Sequence, residues 1–166
     1  ILHDGFDCVI RTGALPEDGV IARPLGKLTM VNCASPHYLT RFGYPQSPDD
    51  LTSHAIVRYT PHLGVHPLGF EVASVNGVQW FKSGGMLTVN SSENYLTAGL
   101  AGLGIIQIPR IAVREALRAG RLIEVLPGYR AEPLSLSLVY PQRRELSRRV
   151  NLFMQWLAGV MKEYLD

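Results

Sequence analysis

Strand-like and helix-like stretches alternate along nearly the whole chain, and that alternation constrains the fold most. Residues 6–11 (FDCVIR) are apolar and β-branched and read as a buried strand. Residues 20–33 (VIARPLGKLTMVNC) read as a longer extended run, interrupted at Pro24 and Gly26. Ser35-Pro36 then opens a helix: serine accepts from the free N–H groups of a first turn, and proline supplies the φ that turn needs. Gly43 is placed to end it. Ser47-Pro48-Asp49-Asp50-Leu51 repeats the signal, with acids in the first turn. Residues 55–59 (AIVRY) and 86–89 read as strands, and Asn76-Gly77 as a hairpin turn, because both residues accept positive φ. Residues 90–103 read as a helix capped by Asn90, 104–108 as a strand closed by Pro109, and 111–119 as a helix stopped by Gly120. Residues 122–125 and 134–140 complete the strands. The last helix runs from about 147 to 165, with Val150, Phe153, Met154, Leu157, Met161 and Tyr164 in one apolar stripe. Helices and strands interleaved in this way predict an α/β fold.

Hydrophobic residues make up 46% of the 166, which is a globular composition with room for one domain or two small lobes. A formal net charge of +2 is too small to neutralise a row of phosphates, so direct nucleic-acid binding is not expected. No apolar run approaches the roughly 20 residues that cross a bilayer, and no export signal is visible. Cys8 and Cys33 sit in apolar runs with no CxxC spacing, which reads as buried thiols in a reducing compartment. The first strand begins almost at Ile1, as expected of a fragment.

Several stretches carry candidate chemistry. Gly99, Gly102 and Gly104 are spaced G-x-x-G-x-G at the end of a helix and before a strand. A dinucleotide loop has the opposite spacing and precedes its helix, so these glycines are expected to terminate and pack a helix. The start of that helix differs. Asn90, Ser91 and Ser92 bring free N–H groups and hydroxyls to a strand's C-terminal end, where open α/β sheets bind ligands; plain capping is the alternative. Ser35 offers the same geometry. Arg11, at the end of the first strand, has the fork that grips a carboxylate, with the hydroxyl of Thr12 beside it; a surface salt bridge is its other use. His62 and His66 have helical ligand spacing, but Gly64 and Pro67 predict a loop, so no metal is expected. Arg143, Arg144, Arg148 and Arg149 read as a solvated helix start. No nucleophile–base pair is visible, so neither an enzyme nor a cofactor is predicted.

The motifs DCVIRTGAL, CASPHYL, GYPQSPDDL, VNSSENYLTAGLAGLGIIQIP and LSLVYPQRRELSRRVNLFMQWL, in that order, resemble the effector-binding domain of LysR-type transcriptional regulators over nearly the whole chain. The resemblance implies a two-lobed fold like the type 2 periplasmic binding proteins, joined by two crossover strands with an effector between the lobes. The crossings would lie near residues 24–31 and 138–141. The first lobe would comprise residues 1–27 and 140–166, N-terminally incomplete, and the second lobe residues 28–139. The winged helix-turn-helix of such regulators is absent from these residues. Carried over by motif, the effector-contacting positions are Arg11, Thr12, Ser35, Ser91, Ser92 and Gln107, the last resting on the resemblance alone. The function so implied is a cytoplasmic, effector-sensing regulatory domain that takes a small polar or carboxylated molecule. It would assemble as a homodimer or homotetramer and reach DNA only through the absent N-terminal domain. A transport-type solute-binding protein of the same fold is the alternative.

Overall fold

The computed structural model describes residues 6–13, 19–60, 69–142 and 146–165. His3, His62 and His66 lie outside them, as do Arg143 and Arg144 of the basic cluster. The chain divides into two compact units, residues 1–29 with 133–166, and residues 30–132.

In the first unit, β1 (Val9–Thr12), β10 (Leu134–Pro141) and β2 (Val20–Leu28) form an antiparallel sheet with β10 in the centre. β10 is hydrogen-bonded on both sides, Val9 opposite Val139 and Leu28 opposite Leu134. It therefore lies whole within this unit, whereas the sequence expectation divided it at residue 139. Pro24 and Gly26 do not break β2. Pro24 faces Ser137 and Gly26 faces Leu136, so the irregularity is a bulge that leaves Leu25 unpaired, and the strand continues to Leu28. The expected burial of the first strand is not found: β1 is an edge strand, Phe6 is 57% exposed and Ile10 47%. Helix α4 (Arg148–Met161) is capped by Ser147, whose hydroxyl accepts from Val150 N–H at 3.4 Å. Its predicted stripe is only partly buried, with Met154 3% exposed but Phe153 48%.

The second unit is built on the strict alternation of side chains along its strands. β3 (Met30–Ala34) pairs antiparallel with β8 (Ile106–Pro109) and β9 (Ile123–Glu124), and β4 (Ala55–Tyr59) pairs parallel with β7 (Gly84–Val89). A parallel bridge between Ile56 and Ile105 joins the two groups. Val31, Cys33, Val57, Ile106 and Ile108 face one core, shared with α2 (Ser92–Leu100) and α3 (Arg110–Arg118). Ala34, Ile56 and Ile105 face a second core, shared with α1 (Pro36–Phe42) and with Phe70 and Val72 of the hairpin β5 (Phe70–Ser74) and β6 (Gly77–Phe81). In that hairpin only Gly77 takes positive φ, 103°, and Asn76 does not. The Ser74 hydroxyl donates to the Gly77 carbonyl and accepts from Asn76 N–H, which closes the turn instead.

Helix α1 starts as its sequence demands. Ser35 Oγ accepts from Tyr38 N–H at 3.2 Å, and Gly43 ends the helix at φ 82°. Tyr38, 1% exposed, carries its hydroxyl to Ala55, accepting from its N–H at 2.9 Å, and to Nδ1 of His54 at 3.0 Å. His54 is 5% exposed; desolvation lowers its pKa below the usual imidazole value, and Asp50 partly opposes this. A depressed imidazole pKa means that the unfolded chain takes up the proton first. The stability contributed by neutral His54 is thus full above pH about 6.5 and lost as pH falls from there toward the folded-state pKa. The Tm of the chain is expected to drop between pH about 7 and 5. The slope should flatten in His54→Gln, and an unchanged slope would show that His54 is not the group responsible.

Candidate functional site

A pocket of about 260 Å³ opens in the second unit, beside the C-terminal end of β4 and the N-terminal ends of β3 and β5. Its lining includes Arg58, Tyr59, Glu71, Trp80, Tyr95 and Gln107. β4 brings Arg58 and Tyr59 to it, and the first turn of α2 brings Tyr95. Tyr95 is on the first turn of α2 that faces inward, 7% exposed, and its hydroxyl accepts from Gln107 N–H at 2.9 Å. Burial pushes its phenol well above the usual tyrosine range.

Gln107 is the centre of the pocket's polar floor. Its carboxamide acts as a piece of strand for β5, Oε1 accepting from Glu71 N–H at 2.9 Å and Nε2 donating to the Glu71 carbonyl at 2.7 Å. Nε2 also donates to Oδ1 of Asn32 at 3.0 Å. Asn32 is fully buried and donates in turn to the carbonyls of Tyr129 at 2.8 Å and Leu126 at 3.2 Å. The Glu71 carboxylate accepts from Glu132 N–H at 3.0 Å. The floor is therefore one connected network from Tyr95 to residues 126–132.

Of the six sequence-predicted positions, Gln107 lines this pocket. Ser35 is 3% exposed and spends its oxygen on the cap of α1; an added Cβ on Gly102 would lie 3.1 Å from its Oγ. Ser91, not Asn90, caps α2: its Oγ accepts from Asn94 N–H at 3.4 Å and donates to Glu93 at 3.3 Å. Ser92 is the exposed first residue of that helix. Arg11 and Thr12 are exposed on β1 of the first unit. Sequence reading missed Asn32, Arg58, Glu71, Trp80 and Tyr95. A polar Asn32 between Val31 and Cys33 was the available signal, since a buried strand admits an amide only where it is hydrogen-bonded.

The glycines pack closely, Gly99 as part of α2 against the Ile106 side chain and Gly104, past the end of that helix, against the backbone of β4. A Cβ on Gly99 would meet Cδ1 of Ile106 at 2.6 Å, and one on Gly104 the carbonyl oxygen of Ala55 at 2.6 Å. Cys33 is fully buried, and burial, reinforced by Glu124, pushes its thiol up to about 12; Cys8 is half-buried and its thiol is also raised. Neither is a ready thiolate. Among the described residues, no three His, Cys, Asp or Glu side chains gather as a metal site, and no helix is long and apolar enough to cross a membrane.

The model of the LysR substrate binding domain matches residues 1–162. An HTH-type transcriptional repressor of Pseudomonas aeruginosa is 34% identical over 165 residues, covering 98% of this chain and 51% of its own length. The HTH-type transcriptional activator AaeR of Escherichia coli is 31% identical over 165 residues, covering 98% and 52%. Among solved structures, the regulatory domain of CrgA, a LysR-type transcriptional regulator from Neisseria meningitidis, superposes with a TM-score of 0.82 at 25% identity, over 96% of this chain and 77% of that one. The chain spans about half the length of the curated relatives it matches.

Proposed function

Because this chain belongs to the LysR substrate-binding domain family, we propose that it is the effector-sensing part of a transcriptional regulator. The observation that carries this reading is a small pocket over a connected network of hydrogen-bonded polar groups, set in a domain of that family. Its volume of about 260 Å³ sits just below the roughly 300–1,000 Å³ of pockets for drug-sized ligands, which suits a small metabolite. Gln107, Tyr95 and Glu71 line the space such a molecule would occupy, and Arg11 and Thr12 stay candidates for polar contact. Ser35, Ser91 and Ser92 are retained as candidates of lower rank, since two of their hydroxyls already cap helices.

The relatives carry the names of transcriptional repressors and activators, so a transport-type solute-binding protein is not favoured. We assign DNA contact to parts of the regulator outside these 166 residues, self-association as a homodimer or homotetramer to the assembled protein, and the cytoplasm as its place of action. Ligand binding would act by shifting a conformational equilibrium, limited by the ligand's differential affinity for the two states.

The test is a thermal-shift screen of small polar, carboxylated and aromatic metabolites against the chain. A ligand present at 100 times its Kd stabilises by about 2.7 kcal/mol, a rise in Tm of about 5–10 °C for a chain of this size. A screen in which no compound moves Tm would sink the reading.

A further inference from the structure

Asn76, at the tip of the β5–β6 hairpin, is the one asparagine of the chain that precedes a glycine. It is exposed, and its neighbour Val75 is fully so. Among the described residues the Asn76 carboxamide makes no hydrogen bond; its backbone N–H is held by Ser74 Oγ at 3.3 Å. Gly77 has φ 103°, and nothing lies within 4 Å of the place its Cβ would take. An asparagine carboxamide carbon can close a five-membered ring with the backbone nitrogen of the next residue. A glycine there leaves the approach open, because it carries no side chain to obstruct it.

The other asparagines lack this combination. Asn32 is fully buried, and its carboxamide is spent on Leu126, Tyr129 and Gln107. Asn94 lies in α2, where the N–H of Tyr95 already donates to the Ser91 carbonyl at 2.9 Å. Asn151 lies in α4 and donates to the Leu146 carbonyl at 3.3 Å. Asn90 is followed by Ser91, whose Cβ crowds the approach.

We propose that Asn76 is a site of spontaneous deamidation. The Gly77 nitrogen attacks Cγ of Asn76 and a C–N bond forms. The side-chain nitrogen leaves as ammonia, carrying the proton that Gly77 N–H gives up. Water opens the resulting succinimide at either carbonyl, to aspartate or to isoaspartate. Aspartate adds one negative charge to the tip. Isoaspartate also adds a methylene to the main chain of the turn. That turn sets the register of β5 on β6, which places Glu71 opposite Trp80 in the pocket wall. The reaction is independent of any effector.

The test holds the 166-residue chain in mildly alkaline buffer, folded and in urea, and maps its peptides by mass over time. In the folded chain the Asn76 peptide is expected to show the small mass gain of an amide turned into an acid. Part of the product should accept a methyl group from a protein-isoaspartate methyltransferase. The peptides of Asn90, Asn94 and Asn151 should stay unchanged, and so should position 76 in Asn76→Gln. Loop tips open at almost no free-energy cost, so the folded rate should lie within about tenfold of the rate in urea. Reaction through global unfolding would be slower by about a thousandfold or more. A folded rate below the tenfold limit overturns the site, as does Asn90 reacting first or no reaction at Asn76 at all. The isoaspartate form, isolated by chromatography, should melt below the parent, whereas Asn76→Asp should match it. An isoaspartate form with the parent Tm overturns the effect on the hairpin register.

Discussion

Replacing Asn32 by leucine is expected to destabilise the second unit by about 3 kcal/mol, because it removes hydrogen bonds from three partners at once and leaves two polar groups short of one. The Tyr129 carbonyl loses its donor and one N–H of Gln107 Nε2 loses its acceptor, while the Leu126 carbonyl keeps the N–H of Tyr129 and Nε2 its bond to Glu71. Each orphaned buried group costs about 1–3 kcal/mol, against a total stability on the order of 5–15 kcal/mol for a domain. Leucine is of similar size and more apolar, so a gain from burial offsets part of the loss but replaces none of the bonds. The urea midpoint should fall with the slope unchanged. A loss under about 1 kcal/mol would mean that these bonds do not hold the unit together. The same substitution should weaken any pocket ligand, since Gln107 and, through it, the backbone of Glu71 depend on Asn32 for their placement.

The second large effect is expected at Gly104. An alanine there would bring Cβ to 2.6 Å from the Ala55 carbonyl oxygen, 3.0 Å from its carbon and 3.2 Å from Val57 N. Those atoms are backbone, and the same strands exchange bonds across the join, Ile105 N–H to Ala55 at 2.9 Å and Val57 N–H to the Ile105 carbonyl at 3.0 Å. Relief therefore requires parting β4 from residue 105, and a loss of about 3 kcal/mol is expected. Gly99→Ala is the control. Its Cβ would strike the Ile106 side chain at 2.6 Å, and the terminal methyl can rotate away, so about 1 kcal/mol is expected there. Parallel denaturation of the two variants decides the matter, and equal losses would refute the distinction between backbone and side-chain contact.

The structure corrects the sequence reading mainly where pairing partners decide the outcome. A proline and a glycine inside residues 20–33 signal interruption locally, yet β2 absorbs them in a bulge because β10 supplies a continuous partner. The apolar run at residues 6–11 looks like core, but its strand is at the edge of its sheet, which leaves Ile10 47% exposed. The capping residue of α2 moved by one position, from Asn90 to Ser91, a shift of the size that helix ends commonly show.

What the order of residues settles alone is local. Ser35-Pro36, Gly43, Gly77 and Ser147 act through their own backbone preferences and hydroxyls, so the start and stop of α1, the start of α4 and the β5–β6 turn were readable from composition and spacing, whereas α4 ends at Met161 and not near residue 165. The motif order carried the family as well. The pocket was not readable, because its polar groups come from positions far apart in the chain. Gln107 bonds Glu71 across 36 residues and Asn32 across 75. Neither residue type announces burial, and an amide in a strand is satisfied only by partners that the folded sheet brings beside it. The same holds for Tyr95, whose hydroxyl is satisfied by Gln107 N–H on the next strand. Which polar groups meet is decided by every neighbouring element at once, and so only the tertiary structure settles it.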